Sequence, residues 1–159
     1  MSNNKGELIK VSKEYSSVEM HSAEHILNQT MVRMFGCKRS MNSHIERKKS
    51  KCDYFIDTAP SDELVVEIER RVNEIIGQHL PVSDRMVPLS EAALLADLSK
   101  LPEGTEGTIR LVFIGDYDVC ACIGPHVSNT DEIGRFKILN HEFEQGRWRM
   151  RFKLEDPQS

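Results

Sequence analysis

A chain of 159 residues with a formal net charge of −4 has the length of one domain and buries enough surface to need no disulfide framework. Its 39% hydrophobic and 29% charged residues are ordinary for a globular protein, and the negative balance excludes one that coats nucleic acid by charge alone. No apolar run reaches the ~20 residues of a membrane span, and the start MSNNKGELIK reads without the apolar centre of a signal peptide. In the cytoplasm this predicts, Cys37, Cys52, Cys120 and Cys122 are thiols or ligands, with Cys37 and Cys52 assigned to buried positions.

The apolar positions Met20, Ala23, Ile26, Leu27, Met31 and Met34 recur at helical spacing and predict a helix over 17–35, stopped by Gly36. After a break through Asn42, Cys52, Tyr54 and Ile56 alternate with Asp53, Phe55 and Asp57, the pattern of a strand over 51–57. Ser61 caps a second helix, with Asp62 and Glu63 favourable in its first turn and a buried stripe of Leu64, Ile68, Val72, Ile75 and Ile76; Gly77 and Pro81 end it. Residues 82–87 read as a short strand, Ser90 opens a short helix over 91–98, and LPEGTEG is a loop. Two β-rich runs, 108–114 and 118–122, flank a turn at Gly115-Asp116, and Gly124-Pro125 breaks the chain again. Residues 135–144 and 147–154 form a hairpin around Gln145-Gly146. No repeat or linker divides the chain, so a single domain over 1–159 is expected. Helices first and strands last, without βαβ alternation, predict an α+β fold with a mostly antiparallel sheet packed with helices.

Two motifs far apart in the chain carry soft donors: HSAEH at 21–25 and CACIGPH at 120–126. On a helix, His21 and His25 lie one turn apart on one face. Cys122 and His126 are also four apart, but Gly124-Pro125 rules out a helix and puts them on a strand end and turn. Together the pairs make one thiolate and three imidazoles, a set that suits zinc better than magnesium or calcium. Cys120 competes for the thiolate place, since alternate strand residues share a face; spacing alone does not choose. Thr30 falls off the ligand face and is assigned to structure, and His79 and His141 receive no role. Positive charge clusters at Arg47-Lys48-Lys49-Ser50-Lys51 and along 147–153, where arginines and a lysine alternate with Trp148, Met150 and Phe152.

HSAEH, with CACIGPHVSNTDEIGRFKI, resembles the editing-domain family shared by alanyl- and threonyl-tRNA synthetases, which includes free-standing alanyl-tRNA editing proteins. In that family an HxxxH helix and a CxxxH loop bind one zinc, and the loop reads CGGTHV before a TGEIG.FKI-like strand. Here Cys122 to Val127 and Thr130 to Ile138 match in order, and the likeness runs from about residue 20 to about 154. It selects Cys122 over Cys120. Three departures bear on substrate choice: Ile123-Gly124-Pro125 replaces GGT, Cys120 stands where an acidic residue is common, and Arg39–His44 replaces a glutamine-and-GS segment.

The resemblance implies one zinc on His21, His25, Cys122 and His126, and hydrolysis of the ester of a mischarged tRNA, serine or glycine on alanine tRNA first. Zinc polarises carbonyls and activates water at neutral pH. His44 is the candidate for proton transfer, and Asp116 and Asp118 are candidates for orienting a ligand imidazole. Ile123, Gly124 and Pro125 would line the substrate pocket, with backbone N–H groups of that turn or the zinc meeting the oxyanion. Lys48, Lys49, Arg149 and Arg151 would meet the phosphates of a tRNA acceptor end. Two other readings stay open: a zinc hydrolase of another small ester or amide, and a non-catalytic module with a closed zinc site that binds tRNA or a partner. No membrane partner is expected.

Overall fold

The computed structural model describes residues 17–99 and 101–155, so the N-terminal stretch read for a signal peptide lies outside the described residues. Helix α1, Val18–Phe35, begins where the Ser17 side chain accepts the Met20 N–H at 3.1 Å, a cap worth about 1 kcal/mol. It ends at Gly36, whose φ of 67° is the left-handed cap that glycine adopts without strain. Strands β1 (Asn42–His44) and β2 (Ser50–Phe55) follow, then α2, Asp62–Ile76, capped by Ser61. Next come β3 (Val82–Pro88), α3 (Leu89–Leu95), β4 (Thr108–Ile114) and β5 (Asp118–Ala121). A 3-10 turn at Thr130–Glu132 leads into the hairpin of β6 (Arg135–Glu144) and β7 (Arg147–Glu155). Among the described residues no helix is long and apolar enough to cross a membrane.

The fold is α+β with antiparallel pairing throughout, but the strands make two sheets where one was expected: β1-β2-β7-β6 and β3-β4-β5. Helices α1 and α2 cover one face of the larger sheet. Their Met20, Ile26, Leu27, Met31, Ile68 and Val72 pack on Tyr54, Phe136, Trp148, Met150 and Phe152 in one buried core. The smaller sheet has its own cluster, in which Val87 and Leu111 meet Ala92 of α3. Leu64, expected in the buried stripe of α2, is 39% exposed, and half-buried Val65 packs on the core in that turn.

Side chains of α2 satisfy the first part of the β6 edge of the larger sheet. Asn73 exchanges two hydrogen bonds with the Phe136 backbone, and Glu69 accepts from the Ile138 N–H at 2.8 Å. These bonds occupy backbone groups at the start of that edge that another strand would otherwise meet. The two sheets meet at α1. Tyr117, in the β4–β5 turn, donates its hydroxyl to Thr30 at 2.7 Å, because Thr30 gives its own proton to the Ile26 carbonyl. Arg33 stacks on the Tyr117 ring at 4.2 Å and donates to its carbonyl, and Gln29 donates to Asp118 at 2.8 Å. These contacts pin the start of β5 against the histidine face of α1, and Thr30 bonds within the fold.

Candidate metal centre

His21 and His25 are 2% and 4% exposed, one turn apart on the face of α1 that meets the end of β5. The loop after β5 returns Cys122 and His126 to that face, and the ligand atoms of all four residues lie within 4.8 Å of one another. Cys122 Sγ is 3.5 Å from Nε2 of both His21 and His126. Those are the ~3.3–3.8 Å edges of a tetrahedron built from ~2.0–2.3 Å metal bonds. The His21 and His126 rings stack at 4.1 Å, and the His25 ring stands edge-on to both. The four donors therefore converge on one point, and the set fits a metal ion.

The His21 and His126 imidazoles are held through Nδ1, which leaves Nε2 for a metal. His21 donates from Nδ1 to the Pro125 carbonyl at 2.9 Å. His126 Nδ1 lies 2.9 Å from Ser22 Oγ, which also accepts the Val127 N–H at 3.1 Å. His25 Nδ1 is buried with no partner at hydrogen-bond length, and the Asp118 carboxylate stands 3.7 Å away. Oxygen partners on the far ring nitrogen fix the tautomer and raise ligand basicity. Asp118 is itself fixed: Arg39 grips both its oxygens at 2.7 and 3.2 Å, and Gln29 donates to one of them.

The charge state of the set suits a cation. Burial alone would raise the Cys122 thiol, but the His126, His21 and His25 imidazoles around it draw it down to about 3. Burial and the neighbouring histidine charges hold His126 down to about 4 against the pull of that thiolate. Burial also opposes a proton on His25, yet the nearby Asp118 carboxylate and Cys122 thiolate outweigh it and push its pKa up. A metal would meet a thiolate and displace the proton from His25, so binding releases acid. Burial raises the pKa of Cys120, which stays a thiol bonded to the Ala121 carbonyl and outside the converging set.

His21, His25 and Cys122 also line a cavity of about 740 Å³, bounded by Glu24 and Asn28 of α1, by Lys38–Met41 and Ser43, by Asp97, Ser99, Leu101 and Pro102, and by Ile109, Cys120, Ala121 and Ile123 on and just after the smaller sheet. A depression of about 460 Å³ near Phe35 and Pro60 holds none of the four donors. The loop residues divide. Ile123 lines the cavity and is 77% exposed, while Gly124 is buried with its carbonyl accepting from Arg110 at 2.9 Å, and Pro125 acts through the carbonyl that holds His21. Asp116 is exposed in the β4–β5 turn, so Asp118 is the aspartate that faces His25.

The register of β1 corrects the expected place of His44. Ser43 pairs with inward-facing Cys52 and lines the cavity, whereas His44 pairs with Lys51 on the opposite face. There His44 is exposed and 2.6 Å from Glu46. Alternate strand residues point to opposite faces, so Arg149 and Arg151 share that outer face. Asp53 binds Arg149 through two bonds of 2.8 and 2.9 Å, and Arg151 donates to Asn140 and Glu142. Lys48 and Lys49 are exposed on the β1–β2 loop. Sequence reasoning passed over Ser22, Glu24, Arg39 and Arg110. Glu24 sits inside HSAEH and Arg39 inside the segment that departs from the family, but only folding brings them to the donors.

A helical HxxxH pair facing a CxxxH loop, at the wall of an open cavity, gives this α+β domain a donor set that could hold a metal ion. Residues 109–150 match the family model described as the threonyl and alanyl tRNA synthetase second additional domain. The chain is 32% identical over 134 residues to the alanine–tRNA ligase of Caldicellulosiruptor saccharolyticus, a match covering 82% of this chain and 15% of the ligase. It is 32% identical over 124 residues to that of Bacillus subtilis, covering 77% and 14%. With the ligase of Treponema denticola it shares 30% over 123 residues, covering 77% and 20%. The chain belongs to the second-additional-domain family of alanyl and threonyl tRNA synthetases, and it spans a fifth or less of the length of these relatives.

Proposed function

We propose that this chain is a zinc-dependent hydrolase that deacylates mischarged aminoacyl-tRNA in trans, with serine, or glycine, on alanine tRNA as first substrates. The observation that carries the reading is that three of the four donors, His21, His25 and Cys122, open onto the 740 Å³ cavity. A purely structural site encloses its metal. The family match supports a role in tRNA editing. Zinc in this set would supply Lewis acidity toward an ester carbonyl and toward water. The chain's own residues would do the rest. Pro125, Asp118 and Ser22 hold the imidazoles in register, and Arg110 fixes the loop that carries Cys122. Asn28, Ser40 and Ser43 give one cavity wall polar groups, while Met41, Leu101 and Ile109 exclude water elsewhere. A site that hydrogen-bonds a seryl hydroxyl rejects alanine far better than an apolar slot rejects an added hydroxyl.

The tRNA backbone would run past Lys48 and Lys49, which follow β1 out of the cavity wall, rather than past Arg149 and Arg151 with their carboxylate and amide partners. The compartment in this reading is the cytoplasm, where tRNAs are charged. Exposed Ile123 at the cavity rim favours one other reading, a hydrolase of a smaller ester. Zinc-loaded protein set against a panel of mischarged tRNAs separates the two. Serine should leave alanine tRNA well above the spontaneous rate while correctly charged alanine stays. If mischarged alanine and threonine tRNAs all remain intact while a small ester is cleaved, the second reading takes its place.

A further inference from the structure

Glu24 lies between the two ligand histidines in sequence and lines the cavity beside them. Its carboxylate is held by one oxygen. Ser43 donates to Oε2 at 2.8 Å and Asn28 at 3.3 Å, and Asn28 is anchored in turn by Tyr54 and the Ser40 N–H at 2.7 and 3.2 Å. Among the described residues no cation forms a salt bridge with Glu24, and no hydrogen bond reaches Oε1. The nearby Arg39 is spent on both oxygens of Asp118. A half-buried carboxylate fixed on one side, with no salt bridge among the described residues and beside the candidate metal cluster, is built to meet a cation from the cavity.

We propose that Glu24 Oε1 binds the α-ammonium group of the acyl moiety, so that the cavity selects esters bearing a primary amine next to the carbonyl. The assignment rests on the aminoacyl-ester reading above. In such an ester the ammonium is one carbon from the carbonyl carbon. An anchor adjacent to His25 in the chain would orient the ester with its carbonyl toward the donors and its side chain toward Ser40 and Met41. Fixing one charged group also removes the rotational freedom that an unanchored acyl group would keep.

The test compares alanine tRNA charged with serine against the same preparation deaminated by nitrous acid to the hydroxyacyl ester, using wild type and Glu24→Gln. Wild type should favour the amino ester, and Glu24→Gln should lose about 10–100-fold in kcat/KM on it while changing little on the hydroxyacyl ester. Bound zinc per chain should stay the same in both. An equal loss on both esters, no loss on either, or a wild type indifferent to the amine overturns the proposal. If wild type cleaves neither ester, the deacylase reading has failed, and calorimetry with the stable amide of serine on 3′-amino-3′-deoxyadenosine decides about Glu24. Affinity at least tenfold weaker in Glu24→Gln then upholds it, and no binding or unchanged binding overturns it.

Discussion

Cys122→Ala removes the thiolate of the converging set, whereas Cys120→Ala removes a thiol that bonds the Ala121 carbonyl and leaves the set whole. Metal analysis after purification should find the first variant without zinc and the second with about one per chain; the reverse would move the site by two residues. Asp118→Asn keeps the shape of the side chain but weakens its hold on His25 Nδ1 and on Arg39. Zinc affinity, read by competition with a coloured chelator, should fall about 10–100-fold. On the far face of the sheet, hydrogen bonds from Arg149 hold the Asp53 carboxyl below its usual range, outweighing its burial. A depressed carboxylate stabilises the fold above its unfolded pKa of ~3.9, and that contribution is lost as pH falls through the folded pKa. Wild type should therefore melt above Asp53→Asn near neutrality, and the gap should close in acid; a gap that persists there would contradict the pairing.

Among elements, α1 was legible because core positions and ligands obey one helical period, with Ser17 and Gly36 marking its ends. Strand β1 was not, since its three residues are all exposed and carry no alternation of burial. That omission also misplaced His44, because only the pairing of Ser43 with Cys52 reveals which side chain of β1 faces the helix. Arginines at alternate positions of β7 looked like a nucleic-acid face, yet Asp53, Asn140 and Glu142 occupy it across the neighbouring strands. The β1–β2 loop keeps exposed lysines. Reversing Lys48 and Lys49 to glutamate should raise KM for tRNA and flatten its salt dependence while leaving zinc content unchanged. Unchanged salt dependence would place the tRNA elsewhere.

At the scale of the molecule, the donor set was readable because the metal dictates residue type and local spacing, and both survive in one dimension. The oxygens behind the imidazoles were not readable. Pro125, Ser22 and Asp118 reach their rings only once α1 is pinned to β5 by Gln29, Thr30 and Arg33. The division into two sheets was hidden for a related reason: strand patterns mark which residues face inward but not which strands become neighbours. The zinc proposed at this junction of α1 and β5 would drive ester hydrolysis on tRNA. The most direct test of that role is serine release from mischarged alanine tRNA, followed while zinc is returned to chelated protein. The rate should climb with added zinc and level off at about one per chain, and the variant His21→Ala, His25→Ala should show no such rise. Serine release that ignores zinc, or a double variant that responds as wild type does, would contradict the account.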